Sequence, residues 1–211
     1  GDCAVCFSTG MAAISAAIGI NVRQGSHIIY HPAIYGCTHG HINHWLTRYG
    51  ITNDAVNLND FDTLRAAIRP ETKVIYFETP SNPTMELIDI AKVVALVKEI
   101  NEGREEAERI VTIVDNTFAS PYAQRPLTMG IDLVIHSLTK HIGGFGATMG
   151  GVVIGPRKVE TELLLYRKDF GASLSPDAAW HILTYGIPTL AVRLERQQES
   201  AMRVAEFLDL H

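Results

Sequence analysis

The sequence predicts an α/β protein in which helices cover both faces of a mostly parallel sheet. Stretches of strand type and of helix type alternate along most of the chain, which is the pattern of such a sheet. The strongest strand candidates, residues 74–78 and 111–115, are short apolar or β-branched runs that end on a carboxylate. The chain has 211 residues, of which 46% are hydrophobic and 19% are charged, so it suits one domain with a sizeable core.

The first hundred residues contain four predicted strands, each followed by a predicted helix. Small residues fill the first helix, Asp60 is placed to cap the third, and apolar residues recur at helical spacing in the fourth. The strands are predicted at residues 4–7, 26–30, 51–58 and 74–78, and the helices at residues 10–20, 36–49, 60–68 and 88–101. The strand at 51–58 has the weakest pattern of the four.

The second half of the chain begins with a charged, glycine-containing stretch, residues 101–109, which we interpret as a solvated excursion. Three further strands are predicted at residues 110–115, 133–136 and 151–154. From Arg157 onward the pattern changes to helices, at residues 159–167, 176–185 and 190–210. No internal repeat or low-complexity segment interrupts this order.

Charge and composition exclude several classes of partner. The formal charge of −5, the pI near 6.0 and the dispersed lysines and arginines provide no basic patch for nucleic acid. No apolar run reaches membrane-spanning length, and the start of the sequence lacks the features of a signal peptide. We therefore expect a cytoplasmic protein with a small-molecule ligand and no membrane partner.

Neither the cysteines nor the histidines predict a metal site. Cys3 and Cys6 form a C-x-x-C pattern, but residues three apart on a strand face opposite ways, and no second pair follows. With Cys37 they make three cysteines, which argues against a disulfide framework in a chain of this length. His41 and His44 share a helix face without a carboxylate partner, so we interpret them as packing or solvent-facing residues.

Lys140 follows a predicted buried strand and two hydroxyl residues. At such a position we expect partial burial, which disfavours the ammonium form and leaves an amine that can attack a carbonyl to form an imine. Ser137 and Thr139 are two apart, so in an extended segment they point the same way, as two donors for one phosphate. An aldehyde that carries a phosphate is pyridoxal phosphate (PLP). An ordinary surface lysine after a strand remains the alternative at this point.

Asp115 ends the predicted strand at 111–115. In open α/β sheets ligands bind beyond the carboxyl ends of the strands, which is where its carboxylate would lie. There it could keep a pyridine nitrogen protonated, so that the ring becomes an electron sink. The alternative is an Asp that caps a loop. The gap between Asp115 and Lys140 leaves room for one crossover and one further strand.

Five stretches of the chain together resemble the Cys/Met-metabolism (transsulfuration) family of PLP-dependent enzymes, and they occur in the family's order. The resemblance covers nearly the whole chain. The stretches read Phe-Ser-Thr-Gly-Met-Ala-Ala-Ile (residues 7–14), Tyr-Gly-Cys-Thr (35–38), Glu-Thr-Pro-Ser-Asn-Pro (78–83), Asp-Asn-Thr (115–117) and Ser-Leu-Thr-Lys (137–140).

The resemblance implies a set of cofactor contacts. Main-chain amides at a strand-to-helix junction and two hydroxyls would bind the phosphate, a tyrosine would stack on the ring, an asparagine would bind the ring oxygen, an aspartate the ring nitrogen, and a lysine the aldehyde. The implied residues are Gly10, Met11, Tyr35, Asn82, Asp115, Ser137, Thr139 and Lys140. Glu78 would be nearby without a defined role. A metal is not implied.

The resemblance also implies an architecture. Residues 1–211 would form the large PLP-binding domain of the aspartate-aminotransferase-like (fold type I) architecture, without the family's N-terminal arm and C-terminal small domain. Family members are homo-oligomers, so a dimer of dimers is expected for the intact protein. The glycine-rich stretch at residues 143–151 precedes a strand and opens no helix, which argues against a dinucleotide loop. Phe145 stands where many family members have His.

The implied reaction is a PLP-dependent γ-elimination on a sulfur-containing amino acid, of the methionine or cystathionine γ-lyase type, which releases a thiol, ammonia and a 2-oxo acid. Lys140, Tyr35, Asp115 and Cys37 are the candidate catalytic residues, and a cysteine after the Tyr-Gly pair favours the lyase. The alternative is γ-replacement, as in O-acetylhomoserine sulfhydrylase or cystathionine γ-synthase. A second alternative is an inactive cofactor-domain fragment.

Overall fold

A computed structural model describes residues 1–211, and its centre is one seven-stranded sheet. The strands are β1 (Cys3–Phe7), β2 (His27–Tyr30), β3 (Thr52–Ala55), β4 (Thr72–Glu78), β5 (Val111–Asp115), β6 (Leu133–Ser137) and β7 (Gly151–Gly155). Their order across the sheet is β1-β7-β6-β5-β4-β2-β3. Strands β3, β2, β4, β5 and β6 pair in parallel, whereas β7 pairs antiparallel to both β1 and β6. The prediction of a mostly parallel sheet is confirmed.

Helices connect most of these strands. They are α1 (Gly10–Gly19), α2 (Gly36–Gly40), α3 (Phe61–Ala67), α4 (Ile90–Asn101), α5 (Ser120–Ala123), α6 (Glu160–Phe170), α7 (Pro176–His181) and α8 (Ile187–Asp209). The helix predicted at 36–49 is one helical segment in which α2 passes into a π turn (His41–Trp45) and a 3-10 turn (Leu46–Tyr49). None of the helices combines the length and the hydropathy that crossing a bilayer requires.

Short polar side chains cap several helices, as the sequence suggests. The Asp60 carboxylate accepts a hydrogen bond from the Thr63 amide at the start of α3, which confirms its predicted role. Thr9 caps α1 in the same way, since its hydroxyl accepts a hydrogen bond from the Ala12 amide at 3.0 Å. These caps fix the points at which the chain leaves the sheet and turns into a helix.

Two apolar clusters sandwich the sheet. On one face Phe7, Tyr76 and Ile113 pack against the small residues of α1. On the other face Phe77 and Val114 pack against α3 and α4. Because side chains alternate along a strand, the face that contains Tyr76 also receives Glu78. Helices therefore cover both faces of the sheet, as predicted. The alternation of side chains decides which of them lie on the face that α1 covers.

Candidate functional site

The carboxyl ends of three adjacent strands place a row of polar side chains on the face that α1 covers. Glu78 on β4 is the register partner of Asp115 on β5, and Asp115 is the partner of Ile135 on β6. Ser137 follows Ile135 by two residues, so it lies on the same face one step further out. The parallel register thus brings Glu78, Asp115 and Ser137, which are far apart in sequence, to one edge of the sheet.

The start of α1 lies directly against this row. A Cβ on Gly10 would lie 3.0 Å from the Ser137 Cβ and 3.1 Å from its Oγ, so the glycine lets the two segments approach closely. Thr9 caps the Ala12 amide, and helix geometry leaves the amides of Gly10 and Met11 without an intrahelical acceptor. These two N–H groups, the positive end of the helix dipole and the Ser137 hydroxyl form a setting for an anion such as a phosphate.

Thr117 connects Asp115 to Ser137. Its hydroxyl donates to Asp115 Oδ1 and accepts a hydrogen bond from the Ser137 amide at 2.8 Å, while its own amide donates to Asp115 Oδ1 at 2.9 Å. Burial raises the pKa of Asp115, and the two hydrogen bonds from Thr117 oppose that rise. A cationic ligand group beside Asp115 would favour its ionised form. No role was predicted for Thr117 from the sequence, although a Thr two residues after an Asp at a strand end is an Asx-turn signal.

Glu78 is the second buried carboxyl in the row. Only 6% of the residue is exposed, and Oε1 accepts a hydrogen bond of 2.8 Å from the main-chain amide of Tyr35. Burial and the neighbouring charge of Asp115 raise the pKa of Glu78 to about 8, although hydrogen bonds from the amides of Tyr35 and Asn82 oppose the rise. Glu78 therefore bonds the Tyr35 segment, which the sequence assigned to the cofactor ring, and lies near the Asn82 segment.

The Glu78→Gln variant should change how stability depends on pH. A folded-state pKa near 8, against an ordinary value of 4.5, means that the folding stability contributed by Glu78 is present below about pH 4.5 and is lost as the pH rises through about 8. Even half of this shift amounts to about 2 kcal/mol. Urea unfolding of both proteins at pH 5 and pH 9 should show a smaller decrease in the unfolding free energy of the variant. Equal decreases would contradict the assignment.

Tyr35 begins the α2 segment, as predicted, and stands over the edge of the sheet. Its side chain is 43% exposed, and the neighbouring exposed Cys37 side chain is the largest cause that raises the pKa of Tyr35. The phenol therefore keeps its proton at neutral pH. Met11 also meets this segment, since the Thr38 hydroxyl donates to the Met11 sulfur at 3.9 Å. The starts of α1 and α2 are thus adjacent.

Two predictions about the segment after β6 are wrong, namely that it is extended and that Lys140 is partly buried. The strand ends at Ser137 and the chain turns at once, with the Lys140 amide donating to Ser137 O at 3.2 Å, so the segment is not extended. The Thr139 hydroxyl binds the main chain of Gly150, donating to its carbonyl at 3.3 Å and accepting from its amide at 3.2 Å. Because the turn carries Lys140 beyond the sheet, its side chain is exposed and not partly buried.

Arg193 on α8 holds the loop that follows Lys140. Its guanidinium donates to the carbonyl of His141 at 2.8 Å and to that of Gly186 at 2.9 Å, and it lies 5.4 Å from the centre of the Phe145 ring. Gly144, Phe145 and Gly146 all have positive φ, so the loop adopts a backbone that needs such support. No role was predicted for Arg193 from the sequence, because the local pattern of α8 contains no signal for a contact with this loop.

These residues fit a pyridoxal phosphate group. The close contact of Gly10 with Ser137 and the free helix amides suit the phosphate, and the carboxylate of Asp115 suits the ring nitrogen. Lys140 follows Ser137 by one turn, and Asn82 lies in the loop that follows Glu78 at the end of β4. The fold and the site together define the class of protein, which is a PLP-dependent enzyme of the fold type I architecture.

Comparisons with known proteins agree with this class and define the family. All residues from 1 to 211 match the family model described as "Cys/Met metabolism PLP-dependent enzyme". The chain therefore belongs to the Cys/Met-metabolism family of PLP-dependent enzymes, as the five sequence stretches predicted.

Curated relatives are named as lyases. The chain is 40% identical over 213 residues to an L-methionine gamma-lyase of Pseudomonas deceptionensis, a match that covers 100% of this chain and 51% of the relative. It is also 40% identical over 204 residues to a cystathionine beta-lyase of Lactococcus lactis subsp. cremoris, covering 96% of this chain and 51% of that protein. The chain thus spans about half the length of these relatives.

Solved structures share the fold. A cystathionine gamma-lyase from Lactobacillus plantarum, described as complexed with L-serine, matches with a TM-score of 0.92 and 34% identity, over 100% of this chain and 53% of the other. The structure of metB from Corynebacterium glutamicum matches with a TM-score of 0.91 and 37% identity, over 99% and 52%. The predicted fold class is confirmed.

Proposed function

We propose that residues 1–211 form the cofactor-binding large domain of a PLP-dependent carbon-sulfur lyase, which eliminates the γ-substituent of a methionine-type amino acid. The products would be a thiol, ammonia and a 2-oxo acid. The observation that carries the proposal is the row at the carboxyl edge, in which Asp115 and Ser137 face the start of α1 and the Tyr35 segment. The names of relatives at 40% identity support a carbon-sulfur lyase, and the L-methionine gamma-lyase among them supports elimination at the γ-carbon.

Four groups of this chain would bind the phosphate of the cofactor. The amides of Gly10 and Met11 and the hydroxyl of Ser137 would bind it together, since Gly10 lies against Ser137 and neither amide has an intrahelical acceptor. Thr139 would contribute after its hydroxyl leaves the main chain of Gly150, or through the turn that it stabilises. When bound, the cofactor supplies an aldehyde for amines and a pyridinium ring that stores electrons.

Asp115 would orient the ring and hold a proton on its nitrogen. Thr117 fixes the carboxylate by two hydrogen bonds, so the acceptor is preorganised. Tyr35 would stack on the ring from the α2 side, and Asn82 would donate a hydrogen bond to the ring oxygen. Glu78 binds the main-chain amide of Tyr35 and lies near the Asn82 segment.

Proton transfer would use two side chains. The Lys140 amine would bind the aldehyde until substrate arrives, and would then remove the Cα proton and assist at Cβ. The Tyr35 hydroxyl would donate a proton to the departing sulfur. Its raised pKa keeps that proton available at neutral pH. Cys37, whose side chain raises the pKa of Tyr35, would lie beside the leaving group and influence its departure.

The Cys37→Gly variant should separate reaction from cofactor binding. We expect the rate of ammonia and 2-oxobutanoate release from methionine to fall roughly tenfold, because the Tyr35 phenol loses the side chain that contributes most to its raised pKa. The cofactor dissociation constant, measured from the visible spectrum, should change less than twofold. Cys3→Ser, whose thiol is at the far end of β1, is the matched control.

The same assay decides between elimination and γ-replacement. Ammonia from methionine without an added thiol supports the lyase. If methionine yields no ammonia while O-acetylhomoserine and sulfide yield homocysteine, the reaction is γ-replacement and the lyase proposal fails.

We also propose that the intact protein is a homo-oligomer, with a dimer of dimers as the expected assembly. Large apolar side chains that are exposed in the single chain support this, among them Trp45 at 55%, Phe170 at 72% and Phe207 at 59%. Sedimentation of the intact protein with its cofactor would test the proposal, and a monomer at micromolar concentration would contradict it.

A further inference from the structure

Glu78 occupies a position that the proposed chemistry does not use. It ends β4 next to Asp115, it is almost fully buried, and its Oε1 accepts the Tyr35 amide at 2.8 Å. A buried carboxyl beside a second carboxyl is costly unless other groups compensate for it. The compensation here comes from main-chain amides, because no cationic side chain pairs with Glu78.

The Tyr35 amide belongs to a helix start that has no local cap. Tyr35 is the N-cap residue of α2, and no side chain of the α2 segment bonds the first amides of that helix. The carboxyl of Glu78, 43 residues away, takes the place of a capping side chain. The Asn82 amide also opposes the rise in the pKa of Glu78, so the Asn82 segment lies near the same carboxyl. One side chain therefore holds the Tyr35 segment by a hydrogen bond and faces the Asn82 segment.

We propose that Glu78 is a positioning residue of the cofactor site, which fixes the Tyr35 segment against Asp115 through a hydrogen bond to its main-chain amide. The inference rests on the proposed function, since it takes Tyr35 as a ring contact. The ionisable groups that face Glu78 are Asp115 on β5, Tyr35 at the start of α2 and Tyr76 on its own strand. All three are acids, so the ionised carboxylate depends on that amide.

Hydrogen exchange followed by mass spectrometry tests the contacts without reference to activity. In the Glu78→Ala protein, the peptide that contains the Tyr35 amide should exchange about tenfold faster or more than in the wild type, since that amide loses its carboxyl acceptor, and the Asn82 peptide should change less. Glu78→Gln keeps an oxygen acceptor and should restore protection to within about threefold. Glu71→Gln, at the exposed opposite end of β4, is the matched control and should change neither peptide.

A second measurement follows the cofactor. The dissociation constant of PLP, from the visible absorbance of the bound form, should rise about tenfold or more in Glu78→Ala and much less in Glu78→Gln. In the wild type, exchange of the Tyr35 peptide, corrected for intrinsic rates, should change with pH around 8, and this dependence should be lost in Glu78→Gln. If Glu78 only filled space, the exchange of the Tyr35 peptide in Glu78→Gln would depend on pH as it does in the wild type.

The outcomes separate the inference from the proposed function. Unchanged exchange of the Tyr35 peptide in Glu78→Ala, in a protein that binds PLP, overturns the inference and leaves the function standing. If the wild-type protein binds no PLP, the proposed function fails and the positioning role fails with it. Faster exchange in Glu78→Ala would then confirm only the contacts of Glu78.

Discussion

Replacing Lys140 by alanine should lower the elimination rate by at least ~10³-fold, because one amine both holds the cofactor and moves the substrate protons. No other lysine follows the carboxyl edge of the sheet where Asp115 and Ser137 lie. The rate is measured as ammonia release at saturating PLP. In the wild type, borohydride reduction and peptide mapping should place the pyridoxyl mass on the peptide that contains Lys140.

Lys158→Ala provides the control for this experiment. Lys158 is exposed and pairs with Glu106 at 2.8 Å, beyond the opposite end of the sheet, so its loss should leave rate and labelling unchanged. Label on Lys92, Lys98 or Lys158 in the wild type would contradict the assignment of Lys140.

The Asp115→Asn variant should lose roughly 10²–10³-fold in rate, because a neutral amide cannot stabilise a proton on the ring nitrogen. Asn keeps an oxygen that can accept from Thr117, so the local structure should persist. The measurements are kcat for elimination and the unfolding midpoint without cofactor. A large decrease in kcat with a midpoint within a few degrees of the wild type is the expected result.

Asp89→Asn is the matched control. Asp89 caps α4 and is exposed to solvent, and Asn is an equally good capping residue. Its rate should equal that of the wild type. If Asp115→Asn retains full activity, Asp115 does not hold the ring nitrogen and the cofactor geometry proposed here is wrong.

Much of the fold could be predicted because its signals are local. Apolar runs mark the strands, and side chains such as Asp60 mark a helix start by bonding amides a few residues away. The strand at 51–58 was predicted too long, since β3 (Thr52–Ala55) ends where its pairing with β2 ends. The antiparallel direction of β7 was not predicted, because direction depends on where the chain crosses the sheet and not on composition.

The candidate site was predicted in its parts. The sequence indicated that Asp115 ends a strand, that Gly10 begins a helix and that Tyr35 precedes another, and the structure has all three. The exposed position of Lys140 was missed, because the sequence pattern of a strand does not reveal the turn that follows Ser137. The roles of these residues stay predictions until the variants are measured.

The sequence by itself determined the family, the strand and helix positions and the types of residue at the carboxyl edge, because these depend on neighbours a few residues apart. Only the tertiary structure decided which of those residues meet. Glu78 reaches Tyr35 across 43 residues, Thr117 reaches Ser137 across 20, and Arg193 reaches His141 across 52. Such contacts depend on strand register and helix packing, since a shift of one residue along a strand would turn Glu78 or Asp115 to the opposite face.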